Sequence, residues 1–152
     1  MIFTVDANIL VYAIEPEDER ADLARRIMLA AATTDCVLTN QVLGEFLNVI
    51  RRKNASVLEG ARRTAADWLL LLPVLPTLTE QLIKASGLAE RHRLQFWDSV
   101  ILIVASAAGV AVLLTEDMQD GAAINGVRIV NPFNSANADL LAALLTPPPE
   151  TA

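Results

Sequence analysis

The longest uncharged stretch of this chain, residues 99–115, limits how the rest can fold. It contains seventeen consecutive residues without a charge. A membrane-spanning helix needs about 20 predominantly apolar residues, and this stretch is shorter and is interrupted by two serines and Gly109. We therefore expect no membrane span but a buried helix over 99–108 that ends at the glycine, followed by a buried strand over 110–114.

The remainder of the chain alternates short apolar segments with longer segments of helical periodicity. Further strands are predicted at 2–5, 35–39 and 126–130, and residues 74–75 fit either a short edge strand or a linker. Further helices are predicted at 17–32, 41–53, 56–72 and 77–91, with a short one at 138–145. This alternation predicts an α/β fold with a mostly parallel central sheet, in which Asp6-Ala7-Asn8 forms a loop after the first strand.

Composition narrows the class of protein. The chain has 152 residues, 53% of them hydrophobic, which is the size and apolar content of one globular domain. Cys36 is the only cysteine, so an internal disulfide framework is excluded. The N-terminus has no basic segment and carries an acidic residue at position 6, which argues against a cleaved secretory signal. We expect a cytoplasmic protein.

His92 is the only histidine, and it lies among charged residues in Glu90-Arg91-His92-Arg93. A nuclease that works with two histidines is therefore excluded, as is a metal site built from several histidines. A Ser/His/Asp hydrolase would depend entirely on His92, which no plausible nucleophile motif follows. We expect His92 to be a solvated surface residue, so any catalytic chemistry must be carried by carboxylates.

Four acidic residues occupy positions that solvation alone does not explain. Asp6 directly follows the first strand, and Asp117 comes three residues after the strand that ends at Leu114. Asp98 begins the helix that is apolar on all sides. Glu45 lies in a helix at the margin of its apolar stripe, where it can face the boundary between core and solvent.

Each of these acids also has an ordinary structural interpretation. Asp98 fits a helix N-cap, with Trp97 as the hydrophobic residue that precedes it. The two acids that follow strands fit loop residues that bond their own backbone. Glu45 fits a rim residue paired with Arg52 or Asn48.

The presence of all four acids at such positions is harder to explain by four separate structural roles. In a parallel sheet the chain leaves every strand at the same edge, so the acids that follow strands meet there. Carboxylates crowded into a partly dry cleft repel one another, and a divalent cation is the natural counter-charge. Oxygen ligands favour Mg²⁺ or Mn²⁺, which can polarise a phosphate and activate a water. Asn8 either orients a metal-bound water or forms a turn.

The set of motifs resembles the PIN domain, and more narrowly a VapC-type toxin of a bacterial toxin–antitoxin pair. The resemblance rests on the order and spacing of Asp6-x-Asn8, Glu45 within Val42-Leu43-Gly44-Glu45-Phe46, Trp97-Asp98 and Thr115-Glu116-Asp117. It implies a three-layer α/β/α sandwich with a nuclease domain over 1–133. The tail over 134–152 is expected to form a short helix with a disordered end.

The resemblance also implies an activity and partners. It implies a Mg²⁺- or Mn²⁺-dependent endoribonuclease that cuts structured RNA, with tRNA and rRNA as candidates, and that forms a homodimer inhibited by a small antitoxin. By this resemblance the catalytic and metal-binding residues are Asp6, Glu45, Asp98 and Asp117. The supporting residues are Asn8, Thr115 and Asp120, and Asp120 fits a plain loop acid equally well.

Three other classes of protein share parts of this pattern. A receiver domain needs a lysine after its last strands, and the only lysines are Lys53 and Lys84. A haloacid-dehalogenase-type phosphatase needs Asp-x-Asp where this chain has Asp6-Ala7-Asn8. A catalytically silent PIN-like scaffold that acts as a binding partner stays open as an alternative function.

The net charge of −6 disfavours binding of nucleic acid, but the chain has basic clusters that could contact phosphates. They lie at 25–26, 51–53, 62–63 and 91–93.

Overall fold

A computed structural model describes residues 1–149 and contains one six-stranded sheet flanked by helices. The strands are β1 (Phe3–Val5), β2 (Cys36–Thr39), β3 (Val74–Leu75), β4 (Val112–Leu114), β5 (Ala123–Ile124) and β6 (Val127–Val130). The helices are α1 (Ala7–Ile14), α2 (Ala21–Ala31), α3 (Asn40–Lys53), α4 (Leu58–Leu71), α5 (Thr79–His92), α6 (Phe96–Ala107) and α7 (Ala138–Leu144). Short 3₁₀ turns lie at Ala55–Val57 and Ser135–Asn137.

The strand order is β3-β2-β1-β4-β6-β5, and β5 alone runs antiparallel to its neighbour. The expected α/β class with a mostly parallel sheet is therefore confirmed, and residues 74–75 form an edge strand. All residues of β1 and β4 are buried, because helices cover the sheet. Along the chain the order runs from β1 towards β2 and β3 and then returns to β4 on the other side. The carboxyl ends of β1 and β4 therefore lie beside a topological switch point.

The uncharged stretch divides as expected into a buried helix, α6, and a buried strand, β4. Gly109 ends the helical segment with φ +74°, in the left-handed region that favours glycine. No helix within residues 1–149 combines the length and apolarity that a membrane crossing requires.

Two local expectations are wrong, and one strand was not predicted. The Asp6-Ala7-Asn8 segment does not form a loop, because the Asp6 carboxylate accepts the Ala7 N–H at 2.7 Å and starts α1 at once. Helix α2 begins at Ala21 rather than at residue 17. Strand β5 was not predicted, although its turn at Asn125-Gly126, with φ of 53° and 81°, is a typical two-residue hairpin signal.

The C-terminal segment packs against the domain. Helix α7 forms where a short helix was expected, and it buries Leu141 and Leu144. The Asp120 carboxylate accepts side-chain N–H groups from Asn134 at 2.7 Å and Asn137 at 2.9 Å, which fixes the start of this segment. The disordered end expected for the tail falls partly on residues 150–152, which lie outside the described residues.

This packing predicts that the segment after 134 contributes to stability. Leu141→Ala should lower the free energy of unfolding by about 2–5 kcal/mol, the usual cost of removing a buried leucine side chain. The same change at Leu70, which is 85% exposed on α4, should cost less than about 0.5 kcal/mol. Urea unfolding of the two variants measures the difference, and equal midpoints would show that α7 does not stabilise the domain.

Candidate active site

A cavity of about 520 Å³ opens at the carboxyl ends of β1 and β4. All four of the singled-out carboxylates line it, and they come from four different elements. Asp6 follows β1, Glu45 lies in the middle of α3, Asp98 lies in the first turn of α6, and Asp117 lies in the loop after β4. Residues far apart in the chain therefore form one acidic site.

Asp6 is the most buried of the four, with 5% of its surface exposed. The pKa of its carboxyl is raised to about 6, chiefly by burial. Hydrogen bonds from Thr115 and Ala7 oppose the rise, and the neighbouring charges of Glu45 and Asp98 add to it. The Thr115 hydroxyl donates at 2.8 Å and the Ala7 N–H at 2.7 Å. Each carboxylate oxygen thus has one fixed partner, which sets the direction of the group.

Asn8 and Thr115 connect two of the acids. The Asn8 amide donates to Asp117 Oδ2 at 3.0 Å and to the Thr115 hydroxyl at 3.3 Å. The Thr115 oxygen also accepts the Asp117 N–H at 3.2 Å. Asn8 Oδ1 is buried and has no hydrogen-bond partner among residues 1–149, so it remains an acceptor for a ligand in the cavity.

Glu45 is held by its own helix. The Gln41 side-chain amide donates to Glu45 Oε1 at 2.6 Å and to the main-chain carbonyl of Trp97 at 3.0 Å. No ion pair within residues 1–149 involves Glu45, and Asn48 accepts a hydrogen bond from Arg51 instead, so the alternative in which Glu45 pairs with Arg52 or Asn48 is wrong. The contact with Trp97 also joins α3 to the start of α6, next to Asp98.

Asp98 does not act as a helix cap. The N-cap position of α6 is Gln95, whose side chain makes no capping bond, and Asp98 lies three residues further on. Trp97 is 56% exposed, so it does not act as a buried hydrophobic contact that precedes a cap. Partial burial raises the pKa of Asp98, and the charges of Glu45 and Asp117 raise it further.

The negative charge of the site is not neutralised within the described chain. No ion pair of residues 1–149 involves any of the four carboxylates. Arg52 and Lys53, at the end of α3, line the cavity but form no ion pair in that part of the chain. The cavity therefore combines crowded acids with two cationic groups at its edge.

The donor set fits a hard divalent cation. All four charged groups offer oxygen, which Mg²⁺ and Mn²⁺ prefer. No three His, Cys, Asp or Glu side chains of residues 1–149 have the spacing of a closed metal site. Mg²⁺ does not require one, because it keeps several waters and binds through one or two carboxylates.

Two predicted site residues do not line the cavity. Thr115 bonds Asp6, which does line it, whereas Asp120 makes its contacts elsewhere. Its carboxylate accepts the Asn131 N–H at 2.9 Å and the side-chain amides of Asn134 and Asn137. These hydrogen bonds, that of Asn131 first, lower the pKa of Asp120. The geometry favours its structural interpretation, in which it holds the C-terminal segment.

Two further residues were not found by sequence reasoning. Gln41 precedes Glu45 by four residues, a helical spacing that could have predicted their contact. Arg20 binds Asp18 at 2.9 Å and Glu116 at 2.6 Å and lies 4.0 Å from the centre of the Tyr12 ring. It ties the α1–α2 connection to the loop that carries Asp117, and no local sequence signal indicates this.

Solved structures of similar fold include a toxin and a toxin–antitoxin complex. VapC20 of Mycobacterium tuberculosis, described as a sarcin-ricin loop cleaving toxin, has a TM-score of 0.64 and 20% identity over 76% of this chain and 89% of its own. VapBC2 of Rickettsia felis, bound to promoter DNA, has a TM-score of 0.63 and 20% identity over 86% and 98%. A toxin–antitoxin complex of Klebsiella pneumoniae has a TM-score of 0.62 and 20% identity over 86% and 97%.

Sequence comparison identifies the family. Comparison with curated proteins gives no match. The family model described as PIN domain matches residues 3–119, which is well over half of the chain and includes Asp6, Glu45, Asp98 and Asp117. The chain therefore belongs to the PIN domain family.

Proposed function

We propose that this protein is a metal-dependent endoribonuclease and the toxin of a VapC-type toxin–antitoxin pair. The observation that carries the proposal is the convergence of four carboxylates from four elements in one cavity, without an ion-pair partner among the described residues. Membership of the PIN domain family supports the same chemistry. The fold similarity to toxin structures supports the narrower assignment.

Asp6, Glu45, Asp98 and Asp117 would hold Mg²⁺ or Mn²⁺, which when bound supplies a Lewis acid for the phosphate and an activated water. The protein's own contribution is orientation. Thr115 and Ala7 direct the Asp6 carboxylate, Asn8 directs Asp117, and Gln41 directs Glu45. Asn8 Oδ1, which has no partner among residues 1–149, would accept a hydrogen bond from a water that reaches it.

RNA is the proposed substrate. VapC20 is described as cleaving the sarcin-ricin loop, and it shares this chain's fold. Arg52 and Lys53 lie at the cavity edge, where phosphates of a bound strand would offset the charge that their side chains carry. In the basic cluster at 62–63, by contrast, both arginines have a local partner, because Arg62 and Arg63 bind Glu59.

The proposal extends to partners and to the limits of the domain. A small antitoxin would inhibit the enzyme, as the toxin–antitoxin complexes of similar fold suggest for this chain. A homodimer and a nuclease domain over 1–133 follow from the resemblance to VapC-type toxins. A catalytically silent scaffold is the competing function, and a cleavage assay separates the two.

Wild-type protein should cleave end-labelled tRNA and rRNA fragments with Mg²⁺ or Mn²⁺ and should lose this activity in EDTA. Asp98→Asn should abolish cleavage, because it removes one oxygen charge from the site. Asp139→Asn is the matched control, since Asp139 also lies in the first turn of a helix but outside the cavity. Cleavage by Asp98→Asn at the wild-type rate would contradict the role of Asp98, and a wild type inactive with every metal would favour the scaffold.

Without metal, Asp98→Asn should be more stable than wild type at pH 7. It relieves repulsion among the acids, and the Asp98 carboxylate accepts no hydrogen bond within residues 1–149 that the change would break. The advantage should shrink as the pH falls through the raised pKa of Asp98, where wild type also becomes neutral. Thermal melts in EDTA between pH 5 and pH 7 measure the difference.

The wild type itself should become more stable in EDTA as the pH falls from 7 to 5. The pKa of Asp6 is about 6 in the folded protein and 3.8 ordinarily, so the folded state binds the proton more tightly. Protonation removes a cost of about 3 kcal/mol in total, of which roughly 1 kcal/mol is recovered by pH 5. Saturating Mg²⁺ should reverse the trend. Stability that rises with pH in EDTA would contradict crowding of the acids.

Arg52→Gln and Lys53→Gln should raise KM for RNA and change kcat little. Each lost phosphate contact should also make the plot of log affinity against log salt shallower by about 0.7. Arg62→Gln serves as the control, because Arg62 pairs with Glu59 away from the cavity. An unchanged salt slope in both cavity variants would remove these residues from the substrate path.

A further inference from the structure

A second cavity of about 660 Å³ adjoins the acidic one. The two share Glu45, Val49, Arg52, Asp98 and Asp117, so a ligand can extend from one into the other. The second cavity adds groups of a different kind. They are one large aromatic side chain and three amides, from Trp97, Gln41, Asn48 and Gln95.

We propose that this second cavity binds an unpaired nucleobase next to the phosphate that is cut, with Trp97 as the surface on which the base stacks. The proposal rests on the ribonuclease function proposed above and specifies its substrate as RNA with an unpaired nucleotide at the cut. A paired base is stacked inside a duplex and cannot reach an aromatic side chain in this way.

Trp97 has the exposure and the support that a stacking surface needs. It is 56% exposed and its neighbour Phe96 is 38% exposed, so the two rings form an exposed apolar patch of the kind that marks ligand or partner sites. Phe96 packs against it edge to face with ring centres 5.0 Å apart, and the Trp97 carbonyl is fixed by Gln41 at 3.0 Å. These two contacts hold the ring and the backbone of Trp97 in place.

The amides supply the polar contacts that a base requires. A side-chain amide presents both donors and an acceptor, so Asn48 and Gln95 can pair with the edge of any base, with a preference set by their orientation. Arg52 lines both cavities and lies where it can contact the phosphate between them. The second cavity thus offers an aromatic ring and amides for the base, and Arg52, where the two cavities meet, offers a positive charge for the phosphate.

Gly44 keeps this cavity open. It lies on α3 among the lining residues, and a Cβ placed there would meet no atom within 4 Å. A larger side chain can therefore enter the cavity without disturbing the backbone. Gly60 on α4 has the same open surroundings but does not line either cavity, which makes it a matched control.

Tryptophan fluorescence tests the proposal without requiring cleavage. The protein is titrated, with Mg²⁺ present, with the four nucleoside 5′-monophosphates and with ribose 5-phosphate. We expect quenching by the nucleotides and none by the sugar phosphate. The other tryptophan, Trp68, is 8% exposed, and Trp97→Phe reports its signal alone. Quenching that persists unchanged in Trp97→Phe, or that ribose 5-phosphate also produces, would overturn the proposal.

Cleavage provides the second readout. Trp97→Leu and Gly44→Leu should raise KM by about tenfold or more on RNA with an unpaired nucleotide at the cut, in line with the loss of one stacked base. An RNA with an abasic residue at that position should raise the KM of the wild type by a similar factor. For Trp97→Leu, whose KM is already raised, the abasic RNA should cause little further increase. Gly60→Leu should behave as wild type. Thermal melts confirm that each variant is folded.

The outcomes separate this inference from the proposed function. Nucleotide quenching that depends on Trp97, with no cleavage under any metal, would support the base site and refute the nuclease. Cleavage that neither variant nor the abasic substrate changes would refute the base site and leave the nuclease. A third outcome is that Trp97→Leu sediments as a monomer where the wild type is a dimer, and still binds nucleotides. This result would show that the face joins two copies of the chain and would overturn the proposal.

Discussion

Repulsion among four carboxylates is the constraint on which this structure depends. Asp6 and Asp98 both have raised pKa values, and for each the neighbouring acids add to the effect of burial. The charges are held together by elements that cannot separate without unfolding the domain. Strands β1 and β4 are fully buried and paired, so the residues that follow them stay adjacent. The apolar core therefore offsets an electrostatic cost at the edge of the sheet.

Asp6 shows how the same group can serve the fold and the site. One oxygen starts α1 by accepting the Ala7 N–H, and the other accepts the Thr115 hydroxyl from the neighbouring strand end. Thr115 in turn accepts from Asn8 and from the Asp117 N–H. One hydroxyl group thus fixes two acids relative to each other. Because the same bonds cap a helix and orient a carboxylate, the geometry of the site is set as the helix forms.

The sequence predicted most of what strand and helix periodicity determine. The buried helix and strand after Asp98 were recognisable because a stretch of seventeen uncharged residues is expected in the core of a small domain. Parallel topology then predicted that acids after β1 and β4 would meet. The immediate start of α1 was missed, because Asp6 fits a loop acid as well as a cap. Long-range contacts such as Arg20 with Glu116, 96 residues apart, leave no local pattern and depend on the folded geometry.

Helix α3 offers a way for an acidic chain to bind the RNA substrate proposed above. Its buried side carries Val42, Phe46 and Ile50, and Glu45 and Arg52 lie at the margin of that side, where they line the cleft. The spacing of seven residues places the acid and the cation on one face, two turns apart. The charge along that face therefore changes from negative at the site to positive at its edge. A strand of RNA would meet the cations first and would reach the acids once a metal had offset their charge, so the net charge of −6 does not decide where phosphate binds.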